Sequence, residues 1–119
     1  LMFDLAPGEY HTNVVLAVLA GRAALLCPDG FADPAVAEAI ARLYAPHAVA
    51  LSPAERAAYA GNAIALGPDR VWMSLTAADA LSPAARAGIA AAGFEVRSLA
   101  LDAIEAAGGS LRCCVGEVF

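Results

Sequence analysis

The chain has 119 residues, with twelve acidic against seven basic side chains and a formal net charge of −5. That length is one domain's worth, and the acidic balance excludes the basic footprint of a nucleic-acid binder or of a polybasic membrane-surface segment. Hydrophobic residues make up 61% and charged residues 16% of the chain, against about 45–50% and about 25% in ordinary globular domains, so a charge-poor face is expected to be covered by more of the same polypeptide or by a second copy.

The first strand is expected over Val14–Leu19, an apolar run too short to span a membrane and followed closely by Arg22. No basic region precedes it, so a secretion signal is not expected, and Leu1 stands before Met2 as at a fragment boundary. A second strand is expected over Ala23–Cys27. Asp33–Pro34 then opens a helix whose apolar stripe is read as Ala35, Ile40, Leu43 and Tyr44. A strand over Ala48–Leu51, a short helix, and strands over Ala63–Leu66 and Val71–Leu75 come next. Ser82 caps the following helix, with Pro83 at its first position and Gly93 as its stop. Strands over Glu95–Leu99 and Leu111–Phe119 complete the expected elements.

These elements repeat. The stretches beginning at Pro34 and at Pro83 share an order of proline-opened helix, strand, short helix, glycine and strand, at an offset of roughly 48–49 residues. The expected units run from about 13–61 and 62–109, followed by a lone final strand over 110–119. Each begins on chemistry-bearing residues: His11 and Asn13, then Gly61 and Asn62, then the glycine turn before Arg112 and Cys113. In a pseudo-symmetric ring, equivalent positions converge near the axis and would share one pocket. A histidine beside a cysteine stabilises the thiolate, and can then protonate a leaving group and activate water.

Taken alone, the residues also allow plainer readings. Cys113 on an alternating strand reads as a core cysteine, Cys114 as its neighbour on the opposite, buried face, and Cys27 as a buried strand end. His47 reads as a surface or turn residue, Asn62 beside Gly61 as a turn signal, and Glu9, Asp29 and Glu117 as solvated charges. The three cysteines are expected to be free thiols in a cytoplasmic compartment. No metal-ligand spacing and no phosphate loop is present, so neither a metal nor another cofactor is expected.

The pieces Tyr10-His11-Thr12-Asn13-Val14, Phe31-Ala32-Asp33, Ala60-Gly61-Asn62 and Gly108-Gly109-Ser110-Leu111-Arg112-Cys113 resemble, in order and spacing, citrulline-utilisation hydrolases. They are also similar to the matching parts of arginine deiminases and dimethylarginine dimethylaminohydrolases, within the superfamily that includes the amidinotransferases. The resemblance implies an α/β fold of ββαβ units around a pseudo-fivefold axis, the pentein fold, incomplete in this chain, which would be the C-terminal section of a catalytic domain. It implies Cys113 as the nucleophile toward the central carbon of a guanidino or ureido substrate, His11 as the acid–base group, and Asn13 and Asn62 as substrate-binding or positioning residues. Arginine deiminases carry aspartate where this chain has Asn13, and the acidic residues that grip the substrate lie in units not matched here. Alternatives are an amidinotransferase and a truncated, non-catalytic paralogue serving as a binding or assembly module. The chain alone is expected not to turn over substrate.

Overall fold

A computed structural model describes residues 2–116 and 118. A helical turn, α1 (Thr12–Val15), leads into β1 (Leu16–Leu19) and β2 (Ala23–Leu26), then α2 (Pro34–Leu43), β3 (Ala48–Ala50) and α3 (Pro53–Ala57). The second half has β4 (Ile64–Ala65), β5 (Arg70–Ser74), α4 (Leu75–Ala80), α5 (Pro83–Ala91), β6 (Glu95–Leu99) and α6 (Asp102–Glu105). Single 3₁₀ turns occupy Pro28–Gly30 and Leu111–Cys114.

The strands form two three-stranded sheets of the same design. β1 pairs antiparallel with β2, which pairs parallel with β3; β4 pairs antiparallel with β5, which pairs parallel with β6. In each sheet the antiparallel pair is a tight hairpin and the parallel step crosses over through a helix, as a parallel connection requires. This is the ββαβ unit, present twice. β1 lies beside β4, and one apolar core, including Val15, Leu19, Leu25, Leu26, Val71, Met73 and Ile89, runs through both halves.

The helix starts follow from their caps. The Asp33 carboxylate accepts from Ala35 N–H, and Ser52, Ser74 and Ser82 cap α3, α4 and α5 through their hydroxyls. On α2 the buried face is Ala37 and Ile40, with Val36 and Tyr44 packed at its edge. Ala35 and Leu43 face solvent, Leu43 with 75% of its surface exposed. Ile40 and Tyr44 of the expected stripe lie on the buried side and Ala35 and Leu43 do not: a step of three and then of four from Ala37 leads to Ile40 and Tyr44.

Two expected strands differ in kind. Val14 and Val15 belong to α1 rather than to the first strand. A bare backbone carbonyl at Val14 has a partner surface there, because a Cβ on Gly61 would come within 2.3 Å of it; only glycine allows that approach. The final strand over 110–119 is replaced, among the described residues, by the 3₁₀ turn Leu111–Cys114. The buried Asn62 side chain accepts from Arg112 N–H, and Ser110 O accepts from Cys113 N–H, which takes the backbone of that turn out of an extended path. Glu117 and Phe119 lie outside the described residues. The remaining strand ends shift by a residue or two, the usual scatter of boundaries, and α4 was not expected at all.

Polar contacts tie the halves together on the side formed by the β1–β2 hairpin and by α3. From the β1–β2 hairpin, Arg22 donates to the carbonyls of Ala92 (3.3 Å) and Pro68, and its guanidinium lies 4.1 Å from the centroid of the Phe94 ring. Glu55 on α3 accepts from Ser52 N–H at 2.7 Å and from Ser82 N–H at 2.8 Å, so one carboxylate serves the first turns of both α3 and α5.

Candidate active site

The site forms where three chain segments meet: the entry to β1, the entry to β4, and the Leu111–Cys114 turn. Asn62 is at its centre and is fully buried. Its Nδ2 donates to the Asn13 carbonyl at 2.8 Å and to Cys113 Sγ at 3.2 Å, and its Oδ1 accepts from Arg112 N–H at 2.9 Å. A carbonyl demands a donor and an N–H demands an acceptor, so these two partners fix which end of the amide faces which. The consequence is that an N–H, not an oxygen, points at the sulfur.

Cys113 Sγ also lies 3.9 Å from Asn13 Oδ1, and the residue is exposed. Its own N–H donates to Ser110 O at 3.1 Å. Ser110 is fully buried and its hydroxyl donates to Glu105 Oε1 at 2.8 Å. Gly108, at φ +93°, makes the bend that admits this turn, and Gly109 backs the Cys113 Cβ.

Of the expected site residues, the structure brings Asn13, Asn62 and Cys113 into direct contact. His11 stands two residues before Asn13, exposed, with its ring packed against Tyr10 at 5.0 Å between centroids. Among the described residues it has no hydrogen bond to Cys113. The Tyr10 hydroxyl donates to Gly108 O, in the turn that leads to Cys113. An open cavity of about 530 Å³ runs beside the cluster between β1 and β4, lined by Thr12, Asn13, Leu16, Ile64 and Arg112 among others.

The other thiols differ in kind. Cys27 is fully buried, and burial above all pushes its thiol up to about 12, Arg56 pulling the other way. Cys114 is exposed rather than core, and its Sγ donates to Ser110 O at 3.4 Å; strand alternation does not apply to a 3₁₀ turn. Glu9 is not a solvated charge but pairs with Arg56 at 3.0 Å with its side chain largely covered, fastening the segment before His11 to α3; Asp29 is exposed, and its carboxylate lies 3.5 Å from the same guanidinium. His47 is half-buried in the bend before β3, where its carbonyl accepts from Ala24 N–H. Among the described residues no three His, Cys, Asp or Glu side chains cluster closely enough to hold a metal, and no helix is long and apolar enough to cross a membrane.

Sequence reasoning missed Glu55, Glu105 and any role for Tyr10 beyond its place in a motif. Glu55 alone had a local signal: Ser52-Pro53-Ala54-Glu55 is a capping-box pattern.

Repeated ββαβ units whose leading residues meet around a cysteine define the class: this is a pentein fold. The chain belongs to the family described as N,N dimethylarginine dimethylhydrolase, eukaryotic, whose model matches residues 7–119. Among solved structures it is similar to apo ArgZ, an arginine dihydrolase from the ornithine–ammonia cycle in cyanobacteria, with 27% identity and a TM-score of 0.72 over 87% of this chain and 15% of that one. The N-terminal domain of ArgZ bound to product gives 27% identity and a TM-score of 0.72 over 87% of this chain and 36% of that domain. Unliganded AgrE gives 26% and 0.72 over 87% of this chain and 15% of that one. The chain thus spans only a minor part of each of these structures. No curated protein sequence matches it significantly.

Proposed function

We propose that residues 1–119 are the C-terminal section of the catalytic domain of a cytoplasmic guanidine- or ureido-group hydrolase, contributing the nucleophile Cys113 and the acid–base residue His11. The observation that carries the reading is the Asn62 N–H aimed at Cys113 Sγ from a fully buried amide. An N–H in that place can hydrogen-bond the sulfur as it attacks, and thiolate is the attacking form. The likeness of the fold to ArgZ and AgrE supports the substrate class: the ArgZ N-terminal domain is known bound to substrate, to product and, in one variant, covalently to a reaction intermediate, and an AgrE variant is known with L-arginine.

In the proposed reaction the Cys113 thiolate adds to the central carbon of the guanidino group. The C–N bond to the departing nitrogen then breaks with its electron pair, and His11 supplies the proton that makes the neutral amine or ammonia. His11, now neutral, takes a proton from water as that water adds to the S-linked carbon. The C–S bond breaks back to thiolate and a ureido product leaves. Asn13 and Asn62 hold the sulfur and the substrate end of the cavity, and the acidic groups that grip a guanidinium come from the rest of the polypeptide.

Two measurements test this. Acid quench of the native protein during turnover of dimethylarginine or arginine should leave a substrate-derived mass on the Cys113 peptide, and an adduct on any other residue, or none, refutes the assignment. In this chain, iodoacetamide should label Cys113 ahead of Cys27, and His11→Ala should slow Cys113 labelling at neutral pH about tenfold, the effect of about 1.4 kcal/mol of lost thiolate stabilisation. An unchanged labelling profile removes the pairing.

A further inference from the structure

We infer that Tyr10 is a positioning residue for this site: its ring holds the His11 imidazole while its hydroxyl holds the turn that carries Cys113. The inference deepens the proposed cysteine–histidine pairing and rests on it. His11 and Cys113 come from segments about a hundred residues apart, and no hydrogen bond between them sets their separation. Tyr10 spans that gap from both sides. Its ring lies against His11 at 5.0 Å and 59°, and its hydroxyl donates to the Gly108 carbonyl across a separation of 98 residues. Gly108, at φ +93°, starts the bend into Gly109 and Ser110, and Ser110 O accepts from Cys113 N–H. The chain of contact therefore runs from imidazole to phenol to bend to nucleophile without a break.

Tyr10 is 55% exposed, so its packing contributes little to the core, and a half-exposed phenol tied to a backbone carbonyl is better explained by geometry than by stability. Burial, then the neighbouring Tyr59, Cys113 and Glu9, push its hydroxyl above the ordinary value. A phenol whose ordinary value is 10.0 is protonated at neutral pH, as a donor to Gly108 must be. With the hydroxyl removed, the two segments are still tied by Asn62 and by the 3.9 Å approach of Cys113 Sγ to Asn13 Oδ1, but among the described residues neither tie includes a hydrogen bond to the His11 side chain.

The test is a double-mutant cycle read as the rate of Cys113 alkylation by iodoacetamide against pH, in the full 119-residue chain. Tyr10→Phe keeps the ring on His11 and removes one hydrogen bond, so labelling at neutral pH should slow about fivefold and the profile should move to higher pH. Tyr10→Leu removes both contacts and should slow it further. In a His11→Ala background, Tyr10→Phe should have no added effect, because it acts through the pairing that His11→Ala has already removed. A Tyr10→Phe profile identical to wild type, or an effect of the same size in both backgrounds, overturns the inference while leaving the pairing intact. If His11→Ala alone leaves the profile unmoved, the pairing itself fails and Tyr10 falls with it. Far-ultraviolet circular dichroism on each variant separates these outcomes from loss of fold.

Discussion

Replacing Asn62 with alanine should cost about 2–4 kcal/mol of folding stability, because each partly buried polar group stripped of its partner costs about 1–3 kcal/mol. It should also slow alkylation of Cys113 by roughly tenfold. The stability loss comes from the Asn13 carbonyl and the Arg112 N–H, which Asn62 ties together across 49 and 50 residues of chain. The slower chemistry comes from the third contact, the N–H at 3.2 Å from sulfur. Asn62→Asp separates the two effects. It preserves an acceptor for Arg112 N–H but turns carboxylate oxygen toward a carbonyl and toward sulfur, where a thiolate would be repelled. Cys113 should therefore react more slowly in Asn62→Asp than in Asn62→Ala. Urea unfolding gives the first quantity and timed mass spectrometry the second. If both variants lose stability while Cys113 reacts as in wild type, Asn62 only braces the fold and has no bearing on the thiol.

That one buried amide also explains which parts of the molecule were legible beforehand. The repeat could be read because its markers are local: Asp33–Pro34 and Ser82–Pro83 cap helices wherever they occur, and alternating apolar runs separated by turn residues announce strands. Both ββαβ units were visible for that reason, as were the glycine turn and the meeting of Asn13, Asn62 and Cys113; His11 stands nearby without a hydrogen bond to the sulfur among the described residues. The errors fall where a distant group decides. Thr12–Val15 contains two β-branched valines continuous with Leu16–Leu19, which reads as one strand, yet Asn62 captures the Asn13 carbonyl and Gly61 packs on that of Val14. The apolar Leu111–Cys114 likewise reads as strand, but Asn62 takes the Arg112 N–H and Ser110 O takes that of Cys113. Cys114 was placed in the core by the same mistaken strand. Glu9 looked solvated because nothing local says that Arg56, 47 residues later in sequence, folds back onto it at 3.0 Å. Interactions between units are what the local pattern does not contain, and the candidate site is made almost wholly of them.

Glu55 gives the second large expected effect, and it lies away from the sulfur. The side chain is only 3% exposed. Its Oε2 accepts from the N–H and the hydroxyl of Ser52, each at 2.7 Å, and its Oε1 accepts from Ser82 N–H at 2.8 Å. Burial pushes the carboxyl upward, but the hydrogen bonds from Ser52 and Ser82 outweigh it, and the net direction is below the ordinary 4.5. A folded-state value depressed in this way stabilises the fold fully above the unfolded-state value. That contribution is lost as pH falls through the folded value, because protonation must then be achieved against those three donors. Glu55→Ala should cost about 2–4 kcal/mol at neutral pH, since it leaves two helix first turns short of an acceptor and a cavity beside α3 and α5. Glu55→Gln keeps one oxygen for one of the donors and should cost about half as much. The sharper measurement is the pH dependence. Between neutral pH and the region below 4.5, the stability difference between wild type and Glu55→Gln should shrink as the wild-type carboxylate takes up its proton. The other acidic residues titrate alike in both chains and cancel in that difference. A gap that stayed constant from pH 7 to below that region would mean that the Glu55 charge does no more than a neutral amide in joining α3 to α5.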